Sequence, residues 1–177
     1  VTCLVDARHH EELVISLPAW IPGSYLIRDF AKNIVQIKAF CDGKELEMKK
    51  LDKDSWSLQT SYKPITIYYQ VYARDHSVRT AFIDQFRAFF NGTSLFLRIH
   101  GLESTDHTVN ISKPRWLDNN TNWKVATSMT PSHVDQFGFG DYTNTSYDAL
   151  IDHPFEISEF LKSSFMVQGV RHDVIVV

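Results

Sequence analysis

The sequence predicts an all-β protein, mainly antiparallel and β-sandwich-like, with one or two short helices. Most of the chain alternates apolar and polar residues or forms short apolar runs bounded by turn residues, which is typical of strands. Aromatic side chains, which strands favour, make up 13% of the 177 residues. We predict strands from Thr2 to Arg8, Glu12 to Leu17, Ile34 to Phe40, Ser55 to Thr60, Ile65 to Ala73, Ser94 to Ile99, Thr108 to Ser112, Lys124 to Thr127 and Phe165 to Val177.

Turn residues separate these strands. Asp42-Gly43 predicts a type I′ hairpin because both positions tolerate a positive φ, and Asn91-Gly92 predicts a second hairpin. The strand that starts at Ile65 should bury one face of a sandwich, since its apolar residues alternate with polar ones. Its inward residues are expected to be Ile65, Ile67, Tyr69 and Val71.

Three stretches are harder to interpret by pattern. From Thr80 to Phe90 the aromatic spacing fits either a short helical turn or an irregular loop. From Thr130 to Asp152 the chain is polar and contains glycine, which indicates a domain edge. The residues from Asp152 to Leu161 then predict a short helix.

The stretch from Leu17 to Asn33, LPAWIPGSYLIRDFAKN, interrupts a strand-like region and contains an unusual corner at Trp20 to Asp29. Pro22-Gly23 predicts a turn, because proline presets φ at one position and glycine permits a positive φ at the next. That turn should expose Ser24 and Tyr25 at its rim. Arg28-Asp29 is expected to form a local ion pair rather than a catalytic one.

Composition excludes several classes of protein. The net charge is −3 and no basic cluster is large, so we expect no nucleic-acid partner. No apolar run approaches the roughly 20 residues that a membrane span requires. Cys3 and Cys41 are expected to be free thiols, with one bridge as the alternative if their strands are neighbours. The sequence starts at Val1 without a methionine or a basic leader, so we expect the natural N-terminus to be missing or processed.

Motifs for catalysis are lacking. His9-His10-Glu11-Glu12 has Val14 where a zincin helix needs its second histidine, and the other histidines are scattered singly. There is no nucleophile elbow, phosphate-binding loop or dinucleotide fingerprint. Paired carboxylates for glycoside hydrolysis are an uninformative signal in a chain with 21 acidic residues. We therefore predict no catalytic residue, metal site or cofactor in this chain.

Five sequence blocks nevertheless resemble one family. They are LPAWIPGSYLIRDFAKNIV, KDSW, YQVYARDHSVRTAFID, RAFFNGTSLFL and YDALIDHPFEISEF, and they cover the chain from Leu17 to Phe160. In this order they resemble the N-terminal domain of the glycyl aminopeptidase family of zinc metallopeptidases.

The resemblance implies a β-rich domain over residues 1–160 that precedes a thermolysin-like catalytic domain and then a PDZ domain. Residues 161–177 would be a terminal strand or the start of the junction to the catalytic domain. The family's H-E-x-x-H zinc helix has no counterpart here, so this chain should be inactive alone, with zinc present only in the full-length protein. Its partners would be its own catalytic domain in cis and a peptide substrate, whose cleft it would shape and restrict.

Candidates for contacts with the substrate cleft or with the catalytic domain are a loop and four charged residues. Asn91, Gly92, Thr93 and Ser94 follow two aromatic anchors and are expected to form a loop that presents hydroxyls toward the substrate cleft, with a plain hairpin turn as the alternative. Arg79 and Arg87 are expected either to pair with Asp75 or Asp84 or to offer charge to a substrate carboxylate. Interdomain contacts are expected at Asp152 and Glu156.

The alternative function is a stand-alone β-sandwich module that binds peptide or carbohydrate.

Overall fold

The computed structural model describes residues 1–117 and 121–177 and confirms the predicted fold class. Antiparallel strands form two sandwich-like halves followed by a separate hairpin. The strands of the first half are β1 (Thr2–Val5), β2 (Glu12–Ser16), β3 (Ile34–Cys41), β4 (Lys44–Leu46), β5 (Met48–Lys50), β6 (Ser55–Gln59), β7 (Ile65–Val71) and β10 (Arg98–Ile99).

The second half begins between β7 and β10 in the sequence. Its strands are β8 (Ala81–Ile83), β9 (Arg87–Asn91), β11 (His107–Ile111), β12 (Lys124–Thr127), β13 (Thr130–Val134), β14 (Gly140–Asn144) and β15 (Pro154–Ser158). The hairpin consists of β16 (Leu161–Val167) and β17 (Val170–Val176). The helical segments are a 3₁₀ turn (Phe30–Asn33), α1 (Gly92–Leu95) and α2 (Tyr147–Ile151).

The core of the first half lies between two four-stranded sheets, β1-β7-β3-β4 and β10-β2-β6-β5. Strand β7 directs Ile65, Ile67 and Tyr69 into this core and leaves Tyr68 exposed, as the alternation predicts. Leu13 and Ile15 of β2 are buried in the same core. Period-two alternation therefore positions both sheets around one apolar layer.

The core of the second half is aromatic. It lies between the sheets β11-β14-β13 and β12-β15-β9-β8. Phe155 of β15 is completely buried and stacks on Phe90 of β9, with ring centroids 4.9 Å apart. Tyr142 of β14 meets Phe155 edge-on at 5.8 Å. Such ring pairs contribute specific packing beyond the area that they bury.

The hairpin predicted at Asp42-Gly43 is present. Asp42 has a φ of 48° and Gly43 a φ of 77°, and β3 pairs with β4 across them. Both cysteines are free thiols, as expected. Burial raises the pKa of Cys3 to about 11.

The second predicted hairpin, at Asn91-Gly92, is wrong. Asn91 is extended, with a φ of −92°, and precedes α1. A Cβ on Gly92 would lie 2.7 Å from the Cα of Ile151, so glycine is required here for close packing rather than for a turn. The strand predicted from Ser94 to Ile99 is accordingly reduced to Arg98–Ile99.

Strands occupy two stretches in which the pattern was ambiguous or indicated an edge. Between Thr80 and Phe90 the chain forms neither a helical turn nor a loop, because β8 and β9 pair there with Ala81 opposite Phe90. The stretch from Thr130 to Asp152 contains β13, β14 and α2. Strand β13 is exposed at every position on the edge of its sheet, so it lacks the apolar alternation that marks a strand.

Two predictions near the end of the chain are also wrong. The helix expected from Asp152 to Leu161 is replaced by β15, and the helix lies earlier, at Tyr147–Ile151. Ser146 begins that helix by accepting a hydrogen bond from the amide of Ala149. The single strand expected from Phe165 to Val177 belongs to the β16–β17 hairpin, which turns at Gln168 and Gly169 with φ of 49° and 81°. Glutamine seldom adopts a positive φ, so this turn had no strong sequence signal.

Candidate functional site

The corner, residues Trp20–Asp29, begins with the predicted turn. The amide of Ser24 donates to the carbonyl of Ile21 over 3.1 Å, and Gly23 has a φ of 80° between them. Pro22 and Gly23 therefore occupy the central positions of a type II turn. The Trp20 indole Nε1–H donates to the Ser24 carbonyl at 2.8 Å, which ties the start of the corner to its turn.

Ser24 lies at the centre of the corner and is only 7% exposed. Its Oγ donates to the carbonyl of Leu26 over 3.1 Å and accepts from the Leu26 amide and the Arg28 Nε, both at 3.2 Å. The prediction that Ser24 is exposed at the rim is wrong, because its hydroxyl organises the loop from inside.

The tip of the corner presents three consecutive apolar residues to solvent. Tyr25 is fully exposed at 101%, and Leu26 and Ile27 are also exposed. The loop closes where the amides of Arg28 and Asp29 both donate to the carbonyl of Ala19, over 2.7 and 3.1 Å. A loop with so many internal hydrogen bonds holds its exposed side chains in a defined place.

The predicted ion pair between Arg28 and Asp29 is absent. Arg28 donates to Ser24, whereas Asp29 accepts from the Lys53 ammonium at 2.7 Å. That hydrogen bond raises the pKa of Lys53. Asp29 adopts the left-handed backbone conformation, with a φ of 48°, which aspartate tolerates better than most residues.

The second candidate, the junction segment Asn91–Ser94, is buried. Thr93 is 0% exposed, and Asn91 and Ser94 are nearly as inaccessible. The expectation that this segment presents its hydroxyls outward is therefore wrong for the described chain. The Asn91 side-chain amide instead donates to the Val78 carbonyl at 2.6 Å. Helix α1, which contains most of the segment, lies beside the 3₁₀ turn that follows the corner.

Two buried tyrosines explain why the junction segment lies inside. Tyr69, from the first core, donates to the Leu95 carbonyl at 2.7 Å, and Tyr147, from the second core, donates to the Phe96 carbonyl at 2.8 Å. These bonds satisfy carbonyls at the C-terminal end of α1, which lack helical partners. Burial raises the pKa of both phenols. The junction segment thus connects the two cores.

Hydroxyls in the junction segment and on β15 are buried without a partner among the described residues. Neither Thr93 Oγ1 nor Ser94 Oγ has a hydrogen bond within the described chain, and the same holds for Ser158 Oγ on β15. A buried hydroxyl without a partner destabilises the fold.

The four charged candidates do not form one cluster. Arg87 on β9 pairs with Glu156 on β15, with Nη2 and Oε2 2.5 Å apart, so its expected pairing with Asp75 or Asp84 is wrong. Asp84 accepts from the Arg87 amide instead of its side chain. Arg79 is half-buried and Asp152 is exposed at the end of α2, and neither has an ion pair in the described residues.

A shallow recess of about 160 Å³ opens next to the corner. Its lining contains three basic side chains and one acidic side chain, which suits an anion better than a cation. The residues around it are Arg28, Phe30, Lys32, Asn33, Tyr72, Arg74, Asp75 and Thr80.

Residues 1–117 and 121–177 contain no group of three or more histidine, cysteine, aspartate or glutamate side chains placed to hold a metal ion. The residues present therefore do not fit a zinc site. Within the same ranges, no helix is both long enough and apolar enough to cross a membrane.

Comparison with known protein families assigns this chain to a class, the domains of peptidases. Residues 1–159 match the family described as the Peptidase M61 N-terminal domain, and the chain belongs to that family. This confirms the sequence-based assignment to the N-terminal domain of a peptidase family.

A solved structure supports the same assignment. It is the crystal structure of an aminopeptidase N family protein from Idiomarina loihiensis, which matches with a TM-score of 0.91 and 38% sequence identity. The match covers 98% of this chain but 29% of that chain, so this chain spans less than a third of that protein's length. Among curated proteins, the comparison found no match.

Proposed function

We propose that this chain is the N-terminal domain of a zinc-dependent aminopeptidase, in which it shapes and restricts the substrate cleft of a catalytic domain that follows in the same polypeptide. The observation that carries the proposal is the match of 98% of this chain to 29% of an aminopeptidase N family protein. Because the described residues offer no zinc site, the metal and its catalytic groups would belong to the remainder of the polypeptide. A PDZ domain and a preference for N-terminal glycine are further parts of this proposal.

The corner is the element that best suits the cleft. A loop that restricts a cleft needs exposed side chains held by a rigid base, since ordering a mobile loop would cost binding free energy. Tyr25, Leu26 and Ile27 are exposed, and the hydrogen bonds of Ser24 hold their backbone. Residues 91–94 would act on the cleft indirectly, by supporting the 3₁₀ turn beside the corner.

The remaining candidates divide by their contacts. Arg87 and Glu156 are paired with each other, so their role would be to hold β9 against β15. Arg79 and Asp152, which have no ion pair among the described residues, would be available for contacts with the catalytic domain. Residues 1–160 would then form the domain proper and residues 161–177 its junction.

The test compares this chain with the full-length protein that contains it. Full-length protein should bind one zinc ion per chain and release glycine or alanine from aminoacyl anilides, and a chelator should abolish this activity. The 177-residue chain alone should do neither. Activity from the chain alone, or none from the full-length protein, would overturn the proposal.

A substitution at the corner tests the cleft-shaping role. In the full-length protein, Tyr25→Ala should change the ratio of kcat/KM for a short and a long peptide by about tenfold, since only the longer substrate meets the rim. Tyr68→Ala, on the exposed side of β7, is the matched control and should leave that ratio unchanged. Equal ratios in both variants would reject a role for the corner.

The stand-alone binding module remains the alternative and predicts a different result. It expects the 177-residue chain to bind peptide or carbohydrate by itself, with an affinity that calorimetry can measure. Binding of this kind, together with a full-length protein that lacks aminopeptidase activity, would favour the module.

A further inference from the structure

The β16–β17 hairpin is separate from both sandwich halves. Its strands pair with each other from Leu161 opposite Val176 to Val167 opposite Val170, and no strand in the described ranges pairs with either outer edge. All of its residues are exposed except Ile175, which is half-buried.

One side of the hairpin is strongly apolar. Directly opposed residues of an antiparallel pair share a face, so the register defines the two sides. The first side, called here the apolar face, contains six aliphatic or aromatic residues and two polar ones. It consists of Leu161, Ser163, Phe165, Val167, Val170, His172, Val174 and Val176. Leu161 is 77% exposed and Phe165 51% exposed, although both are typical core residues.

The opposite side, called here the polar face, has its own charge network. Asp173 accepts from the Lys162 ammonium at 2.7 Å and from the Arg171 Nε at 2.9 Å. Ser164 donates to the same carboxylate at 2.6 Å and accepts from Arg171 Nη2 at 3.0 Å. These groups satisfy one another in water. This side also contains two large apolar residues, the exposed Met166 and the half-buried Ile175, which lies opposite Lys162.

A hairpin of this kind needs another protein surface packed against its apolar face. A two-stranded hairpin alone is marginally stable in water, and two open edges beside an apolar face invite association. The amphipathic pattern shows which side would be covered, since burying the polar face would desolvate a charge network that is already satisfied. The described residues of the two halves, 1–117 and 121–160, do not supply that cover, because the apolar face is exposed beside them.

The comparisons describe the hairpin's position relative to the matched family domain and to a longer related protein. The family match ends at residue 159, two residues before β16 begins, so the hairpin lies outside the N-terminal domain as that family defines it. The solved aminopeptidase N family protein nevertheless matches 98% of this chain, which includes most of the hairpin, within a much longer polypeptide.

We propose that the apolar face of the hairpin packs against the catalytic domain that follows in the same polypeptide, while its polar face stays in solvent. The hairpin then belongs structurally to the catalytic domain and fixes the orientation of residues 1–160 against the cleft. This inference rests on the proposed function, because it takes that domain as its partner.

Cysteine accessibility tests the proposal without an activity assay. Phe165→Cys on the apolar face and Met166→Cys on the polar face are adjacent, and both side chains are exposed in this chain, at 51% and 63%. Each variant is labelled with a maleimide in the 177-residue chain and in the full-length protein. The unsubstituted protein gives the background from Cys3 and from the buried Cys41.

In the 177-residue chain, both introduced thiols should label at similar rates. In the full-length protein, Phe165→Cys should label at least about tenfold more slowly than Met166→Cys, because only local opening would expose it. Circular dichroism of each variant would show that it remains folded.

Three results would overturn the proposal. Equal labelling in the full-length protein would mean that the apolar face is uncovered, and protection of both positions would mean that the whole hairpin is buried. Concentration-dependent protection of Phe165→Cys in the 177-residue chain would mean that a second copy covers the face. All these readouts are independent of zinc binding and of anilide cleavage, so the proposed function can fail or succeed separately.

Discussion

The corner at Trp20–Asp29 and the junction segment at Asn91–Ser94 are both glycine-containing stretches that follow a strand, β2 and β9, but they occupy opposite environments. The corner exposes apolar side chains and buries the hydroxyl of Ser24, whereas the junction segment buries hydroxyls that have no partner in the part of the chain that the structure describes. In both segments, a side chain is buried either because the loop uses it for internal hydrogen bonds or because another part of the protein packs against it. Residue polarity alone would have placed both the wrong way round.

Alkaline pH should have the largest effect, through the two tyrosines that hold the junction segment. Because burial raises their pKa in the folded state, their stabilising contribution is complete below the unfolded pKa of about 10 and decreases as the pH rises above it. Each tyrosine should cost about 1 kcal/mol of unfolding free energy per pH unit above about 10. Urea unfolding between pH 8 and 11 measures this loss, in a Cys3→Ala background because the raised pKa of Cys3 would lower stability over the same range.

The variant Tyr147→Phe provides the control for that titration. It removes one of the two titrating phenols, so its stability should decrease less steeply with pH than that of the Cys3→Ala chain. Identical slopes would show that Tyr147 does not remain protonated in the fold.

The second largest effect is expected from glycine substitutions, which should destabilise the junction segment more than the corner. Gly92→Ala should destabilise the chain by about 1–3 kcal/mol, since the new Cβ would meet the Ile151 backbone at 2.7 Å. Gly23→Ala at the corner meets nothing within 4 Å and should cost only about 1 kcal/mol, for its positive φ. Chemical denaturation of both variants gives the comparison, and a larger cost at Gly23 would contradict the packing described here.

Ser24→Ala should show how much the corner depends on its buried hydroxyl. It removes the acceptor of the Leu26 amide and the Arg28 guanidinium, so the unfolding free energy should decrease by about 1–2 kcal/mol. Ser61→Ala, at an exposed loop position, should have no measurable effect. A neutral Ser24→Ala would mean that water replaces the serine hydroxyl and that the loop is not built around it.

Thr93→Val should act in the opposite direction. It replaces a fully buried hydroxyl, which has no partner among the described residues, with a methyl group of similar size, so the chain should gain about 1 kcal/mol of stability. Thr66→Val, on the half-exposed side of β7, is the matched control. Destabilisation by Thr93→Val in thermal melting would indicate that Thr93 has a partner in the protein.

Tyr25→Ala should have the smallest effect on stability. Its side chain is fully exposed, so the unfolding free energy of the 177-residue chain should change by less than about 0.5 kcal/mol. A larger loss would place Tyr25 in a packing role and would weaken the view that the corner presents it to a cleft. Calorimetric melting of the purified chain makes this measurement.

Local patterns predicted much of the fold because their causes are local. Alternation along Ile65–Val71 specified its buried face, and Asp42-Gly43 specified a turn that only residues tolerant of positive φ adopt easily. Edge strand β13 and the turn at Gln168-Gly169 were missed, since an exposed edge needs no apolar alternation and glutamine is uncommon at positive φ.

The sequence by itself determined the all-β class, the turn at Pro22-Gly23 and the membership of a peptidase family, because period-two patterning, proline and glycine geometry and ordered motif blocks are properties of neighbouring residues. Only the tertiary structure decided that Ser24 and Thr93 are buried, that Arg87 pairs with Glu156 and that no described residue covers one face of the hairpin. The burial of Thr93 and the Arg87–Glu156 pair depend on groups far apart in sequence, which only the packing of strands and cores brings together, and the burial of Ser24 depends on how its loop closes.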